Sequence, residues 1–594
     1  MALIDKASLL MVPSTYEAGK LYNVLPSGNR APDSTDQNSG YDQTRADFDF
    51  DRGSNAAASR INSFGLIEKY RENLLVQSNQ FDTTWGKVNI STTNGQEGYD
   101  GTNNAWKIEG TGSAAFSYLL QSESNNIVKT RSVYAKAGSV SYLGIWGSGS
   151  NFGYFDLSNG TLDNISGSSA ITHSITDVGN GWYRCEFTTT GSTSSFYIVA
   201  SANANGTSLS TGDYIYIQSA QLESGLVATE VLTSGATTGK AGVLVDLPRI
   251  NYDANGENGS LLLEPSRQQL FNYSEYFGDW GVSAGTLTAN SATSPEGVKN
   301  AYLFTEDTTT GYHRFAKNSG GSNSTKTFSV FAKWAGGSGR KWLTMDNGPI
   351  CYFDLENGVK GNVGANCTAD IEDYGNGWYR CYFTHTNSIT GTLYIGSSNT
   401  NGGAGNHLGN GENAFYLYGA QAEDGATYAS SYIPNHSGTG GVTRAADSCS
   451  VTGASDVIGQ TEGTLYAEFE IGEDNAHFFL YTNTSNAIYI QTRIGDMWRA
   501  YVINGGVYQV TITTGSVPTS GFVKMAFAYK ENDFALYANG SLIGSDTSGS
   551  VPACDSYDLG LGPYGAGFSA KQTKQTALFN ERLSNAELAT LTTL

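Results

Sequence analysis

Trp498, Tyr501 and Tyr508 crowd one short stretch near the end of a 594-residue chain, and Tyr142 and Trp342 fall at matched positions in two related segments. Flat aromatic rings of this kind stack on the apolar faces of sugar rings when planar polar side chains flank them on an exposed sheet or loop. These five residues are therefore the candidate ligand-binding residues. Trp182 and Trp378 are different, because both recur in the segment GNGWYRC. A large aromatic in the best-preserved strand of both copies reads as core. Cys185 and Cys381 of the same segment read as buried small hydrophobes. Cys351 and Cys367 flank a predicted hairpin and could pair across it, although the reducing compartment expected for the chain favours free thiols.

Metal and catalytic chemistry find little footing. No Cys-x-x-Cys or His-x-x-x-His spacing occurs, and the 6 histidines are scattered from His173 to His477. The run DFDFD would put Asp47, Asp49 and Asp51 on one strand face and Phe48 and Phe50 on the other. Three carboxylates there could hold calcium, but a solvated strand face is the simpler reading. No metal and no cofactor is expected. Glycoside hydrolysis needs two carboxylates at a set separation, and no carboxylate lies in a hydrolase signature. No Gly-x-Ser-x-Gly elbow or phosphate-binding glycine loop is present either. The expectation is a chain that is not an enzyme, with a glycan depolymerase kept as an alternative because paired acids on a sandwich need not be close in sequence.

The elements that would position such residues follow from composition and repeats. Charged residues are 15% of the chain and the net charge is −21, with 73 Gly and 36 Tyr. Ordinary soluble domains carry roughly 25% charged residues. Low charge with many aromatics and glycines suits short strands and tight turns. An acidic chain with no Lys/Arg cluster would repel phosphate backbones, so no nucleic acid is expected as a partner. No apolar run approaches the ~20 residues of a membrane span.

GNGWYRC occurs at Gly179–Cys185 and again at Gly375–Cys381, an offset of 196. SVYAK (Ser132–Lys136) matches SVFAK (Ser329–Lys333), and YFDLSNG (Tyr154–Gly160) matches YFDLENG (Tyr352–Gly358). The order is kept and the offset drifts by only a few residues, as loop insertions would cause. Four parts are expected: an N-terminal segment 1–59, a β-sandwich module 60–248, its repeat 249–447, and a different sandwich 448–594. Alternation in IYIQSAQLE and hairpin turns such as Asn159-Gly160 make the modules all-β. Ser584 with Glu587 predicts a capped terminal helix.

Several of these motifs are familiar. The strand–FALYANG–strand series and the closing LFNERLSNAEL resemble a concanavalin A-like, or laminin-G-like, sandwich over roughly 460–594. Such sandwiches often carry calcium, which makes Asp533, Asp546 and Asp555 open candidates. NLLVQSNQFDTTW, SVYAKAG, YFDLSNG, GNGWYRCEF and AQLESG resemble the carbohydrate-binding-type jelly-roll modules of tailed-bacteriophage virion proteins. The second module keeps the usual exit, SYIPN then VTRAAD; the first has TEVLTSGATTG instead. The segment from SLLMVPSTYEAGK to DFDFDRGSNAAASRIN resembles the leader of such proteins.

The resemblance implies a virion structural protein made in a host cytoplasm. It would be a tail fibre or receptor-binding protein that adheres to host-surface glycans. Residues 1–59 would anchor it to other virion proteins. The resemblance also favours a homotrimer, and no membrane insertion is expected. A capsid decoration or head-fibre protein without required glycan recognition is the other structural alternative.

Overall fold

The computed structural model describes residues 3–15, 48–54, 57–112, 116–123, 125–147, 149–191, 195–245, 247–320, 324–388, 391–403, 405–471, 476–492, 497–518, 520–560 and 572–594. Strands dominate, and the one α-helix among the described residues is Asn585–Leu591. The chain is all-β, built from tandem β-sandwiches, two of them homologous. It divides into two compact units. One comprises Lys69–Gly242 with Gln268–Val442, and the other comprises Met1–Glu68, Val243–Arg267 and Thr443–Leu594.

The first unit holds both repeats. In the first repeat, Lys129–Ala137 lies between Trp182–Thr189 and Tyr214–Ser224 in one six-stranded sheet. Tyr142–Trp146 lies between Phe152–Asp156 and Ser195–Ser201 in the other. The second repeat copies this with Ser324–Trp334 and Trp342–Asp346 at the corresponding centres. Even the irregularity is copied: register slips between Ser132 and Tyr134 in one copy and between Ser329 and Phe331 in the other. The partner strand crosses each slip with a left-handed residue, Ser219 at φ 51° and Gly419 at φ 55°.

The identity of the GNGWYRC segments has a backbone cause. Gly179, Asn180 and Gly181 all have positive φ, as do Gly375, Asn376 and Gly377. Three successive left-handed residues leave little choice but Gly and Asn. The tryptophan that follows is buried in both copies, 1% exposed at position 182 and 2% at 378. Cys185 and Cys381 sit in the two sandwich cores, where burial pushes their thiols up.

The repeats also pack on each other. Val128 and Leu226 of the first belong to the core of the second. The Val128 N–H donates to His436 O at 2.8 Å, and Asn290 Nδ2 donates to Leu226 O at 3.2 Å. Beside this seam the ammonium of Lys69, 7% exposed, lies 2.8 Å from Glu275 and 2.9 Å from Glu296.

The second unit corrects the expected boundaries. Leu9–Met11 pairs with Gln572–Phe579, and Asp49–Asp51 pairs with Ser448–Val451. Ile250–Asn251 and Ser260–Leu262 extend the same sheet as Gln572–Phe579. Leu9, Met11, Phe48, Phe50, Ile250, Leu261 and Leu263 are all core residues of the C-terminal sandwich. The described parts of the N-terminal segment thus contribute strands to that sandwich, and residues 249–263 belong there too. The Phe side chains of DFDFD point inward as expected; Asp47 lies outside the described residues, and Asp51 is exposed.

Arg52, Arg249 and Arg444 come from the segments before, between and after the repeats. All three are buried against Glu264 and Asp447, with Arg249–Glu264 at 2.9 Å and Arg444–Glu264 at 3.0 Å. The Asn539-Gly540 turn has both residues left-handed, as a two-residue hairpin requires. Ser584 and Glu587 form the reciprocal cap expected for the terminal helix.

His477 makes this sandwich acid-sensitive. Both its ring nitrogens are buried without a hydrogen-bond partner, and burial, assisted by the charge of Arg499, lowers its pKa to about 4. The folded value is below the unfolded ~6.5, so the neutral ring is what the fold favours. Its contribution is complete above pH ~6.5 and is lost as pH falls through 6.5 towards 4, reaching about 3 kcal/mol in all. Denaturant melts at pH 7 and pH 4.5 should show wild type losing far more stability than His477→Leu. Equal losses would refute this.

Candidate functional site

Side chains alternate across a strand, so each half of a sandwich sheet has a core face and an outward face. In the first repeat Leu119, Leu143, Ile145, Phe155, Phe196 and Ile198 fill the core. Their neighbours turn outward. Cross-strand register aligns Leu120 with Tyr197, Tyr197 with Trp146, and Trp146 with Phe152. Four adjacent strands thus present one transverse row that is apolar and aromatic throughout, three strand spacings or roughly 14 Å across.

Ring geometry ties the row together. Trp146 stacks on Phe152 with centroids 5.0 Å apart and planes 28° apart. Tyr118, one row over, meets Tyr197 edge-on at 5.1 Å. Tyr118, Tyr142, Trp146, Phe152 and Tyr197 are half-buried, so their rings retain accessible surface. The Tyr154 hydroxyl donates to Gly206 O at 2.7 Å and pins a loop along the edge.

The second repeat keeps the frame and changes the chemistry. The Tyr352 hydroxyl donates to Gly403 O at 2.5 Å, the same edge contact. Asp346 stands where Trp146 does, Ile350 where Phe152 does, and Arg314 where Tyr118 does, by strand position. The Arg314 guanidinium lies 4.5 Å from the Tyr312 ring centre and 4.0 Å from that of Tyr394. Its Nη1 is 3.6 Å from Asp346. Burial raises the Asp346 carboxyl, opposed by the Gly348 N–H and by Arg314. Tyr312, Arg314, Thr344, Asp346, Ile350 and Tyr394 line a shallow depression.

The residues singled out from sequence divide between this face and elsewhere. Tyr142 and Trp342 occupy the same position in the two copies, opposite Asp156 and Asp354. Both are half-buried at the margin of the outward face. Trp498 is a correction: it is 4% exposed and belongs to the C-terminal core, because its strand turns that side inward. Tyr501 stacks on Tyr489 at 4.9 Å and meets Tyr508 at 5.9 Å. Tyr508 is 59% exposed.

Asp533, Asp546 and Asp555 do not converge. Asp533 accepts from Arg582, Asp546 from Ser548, and Asp555 from Ser556. All six cysteines are free, so Cys351 and Cys367 carry no disulfide. Among the described residues one group of potential metal ligands does converge, and the sequence reading missed it: Glu306, His313 and His407. No short spacing links them, and only the pairing of Thr310–Tyr312 with Asn406–Leu408 brings the histidines together.

No family model and no curated protein sequence matches the chain. Among solved structures it is similar to CBM40 of the Ruminococcus gnavus IT-sialidase bound to α2,3-sialyllactose, at 15% identity and TM-score 0.21, over 24% of this chain and 87% of that one. It is similar to the CBM22-1–CBM22-2 tandem of Paenibacillus barcinonensis Xyn10C, at 12% identity and TM-score 0.18, over 63% and 98%. It is also similar to domains LG4-5 of the mouse laminin α1 chain, at 10% identity and TM-score 0.16, over 46% and 86%. The architecture rests on the sheets themselves, not on these likenesses.

Proposed function

We propose that this chain is a non-enzymatic virion protein of a tailed bacteriophage, a tail fibre or receptor-binding protein that adheres to host-surface glycans. The observation that carries the glycan reading is the outward row Leu120–Tyr197–Trp146–Phe152, an accessible aromatic strip on a rigid sheet. Such a strip offers stacking area at little conformational cost. The Arg314–Asp346 pair beside Tyr312 and Tyr394 gives the second repeat a polar face suited to a differently decorated sugar. Two linked faces, multiplied in a homotrimer, would turn weak sites into firm adhesion. The phage assignment and the trimer rest on the sequence resemblance alone.

The test is an array of bacterial surface polysaccharides probed with the full chain, followed by competition against phage adsorption with the same protein. Selective binding and blocked adsorption are expected. No bound glycan would overturn the adhesion reading, and release of reducing sugar would overturn the non-enzymatic one.

A further inference from the structure

The geometry points to a transition-metal site of the zinc class in the second repeat, formed by Glu306, His313 and His407. Their ligand atoms all lie within 4.8 Å of one another, and all three residues are buried. Glu306 Oε1 and His407 Nε2 are already 3.1 Å apart. Ligands on a zinc tetrahedron with ~2.05 Å bonds stand about 3.4 Å apart, so small side-chain rotations close the set. Two imidazoles and a carboxylate are the donors zinc takes when a fourth position is left to water.

His313 is held in a fixed orientation. Its Nδ1 lies 2.6 Å from Ala284 O, the outer contact that fixes the tautomer of a metal-bound histidine. Its Nε2 lies 3.1 Å from His407 O. His407 Nδ1 is buried with no hydrogen-bond partner among the described residues. Glu306 is held in place from both oxygens: Oε1 accepts from Ser397 Oγ at 2.5 Å and Oε2 from the Asn410 N–H at 3.2 Å. Arg340 stands 3.5 Å from its other oxygen and Asp307 stands 3.7 Å from His313 Nδ1. The pocket is built to hold the ring, since a Cβ on Gly409 would come within 2.4 Å of His313 Cε1.

The duplicated fold supplies an internal control. Gly110 ends the strand matching that of Glu306, and Ser117 precedes the strand matching the one His313 precedes. The residue resting on Ser117 is Leu209, whose N–H donates to its hydroxyl at 3.1 Å. The first repeat therefore folds with Gly, Ser and Leu where the second carries three metal-ligand types. Folding alone does not demand the triad. His313 sits between Tyr312 and Arg314, so a bound ion would also fix both at the rim of the outward face.

The experiment uses full-length protein stripped with a chelator and titrated with zinc chloride by calorimetry, with cobalt chloride followed by absorbance. One ion per chain is expected, with a tetrahedral cobalt spectrum and a rise in melting temperature. The variant combining Glu306→Gly, His313→Ser and His407→Leu, which installs the residues of the first repeat, should still melt cooperatively and bind at least 100-fold more weakly. His407→Gln alone should abolish the tetrahedral cobalt spectrum. Absence of stoichiometric binding in wild type, or equal binding in the triple variant, would overturn the site. So would a nitrogen NMR spectrum showing His313 doubly protonated at neutral pH with zinc present.

Discussion

Lys69→Met is expected to cost the repeat-bearing unit about 3–5 kcal/mol, the penalty for removing one partner of a buried ion cluster. Lys69 is the cation between Glu275 and Glu296, and its ammonium lies 5.7 Å from the centre of the Tyr418 ring. Burial resists ionisation of Glu275, but the Lys69 charge and the nearby His436 hold its carboxyl below the usual range. In wild type that contribution is present above pH ~4.3 and lost as pH falls below it. In Lys69→Met the slope reverses, because the buried Glu275 carboxylate loses its cation and is relieved by protonation. Urea midpoints at pH 7 and pH 5 check both the size and the sign. A variant as stable as wild type at pH 7, or one that gains nothing at pH 5, would contradict the account. Lys69→Arg, which keeps the charge, should lose much less.

Removing residues 1–12 should destabilise the C-terminal sandwich by at least about 4 kcal/mol while leaving the repeats folded. Leu9 and Met11 are fully buried, and Leu10 is nearly so. Full burial of such side chains is worth about 1.5–3 kcal/mol each. The strand also covers an edge of Gln572–Phe579, pairing Leu9 with Leu578 and Met11 with Thr576. Calorimetric melts should show one transition shifted and another unchanged. An unshifted C-terminal transition would restore the reading of this segment as a free anchor.

That segment shows why part of the fold was not legible. A strand of three residues, Leu9–Met11, has no period to read, and its partner lies more than 560 residues away. The duplicated modules were legible because the Gly-Asn-Gly turn allows few other residues, so the copies stayed alike where the backbone is most constrained. Tyr142 and Trp342 were found through that alignment. Trp146 and Phe152 were passed over, because alternation in a short strand does not say which face is the core. The same ambiguity put Trp498 among the candidates. The Glu306–His313–His407 group escaped because its members meet only through strand pairing.

The adhesion reading stands or falls on one comparison. An oligosaccharide selected on the array is titrated calorimetrically into wild type, Trp146→Ala and Tyr508→Ala. The fold tolerates a small residue at the first position, since Asp346 occupies it in the second repeat. The account predicts at least a tenfold loss of affinity for Trp146→Ala, about 1.4 kcal/mol or more, and no change for Tyr508→Ala. Full affinity in Trp146→Ala, with loss confined to Tyr508→Ala, would contradict it.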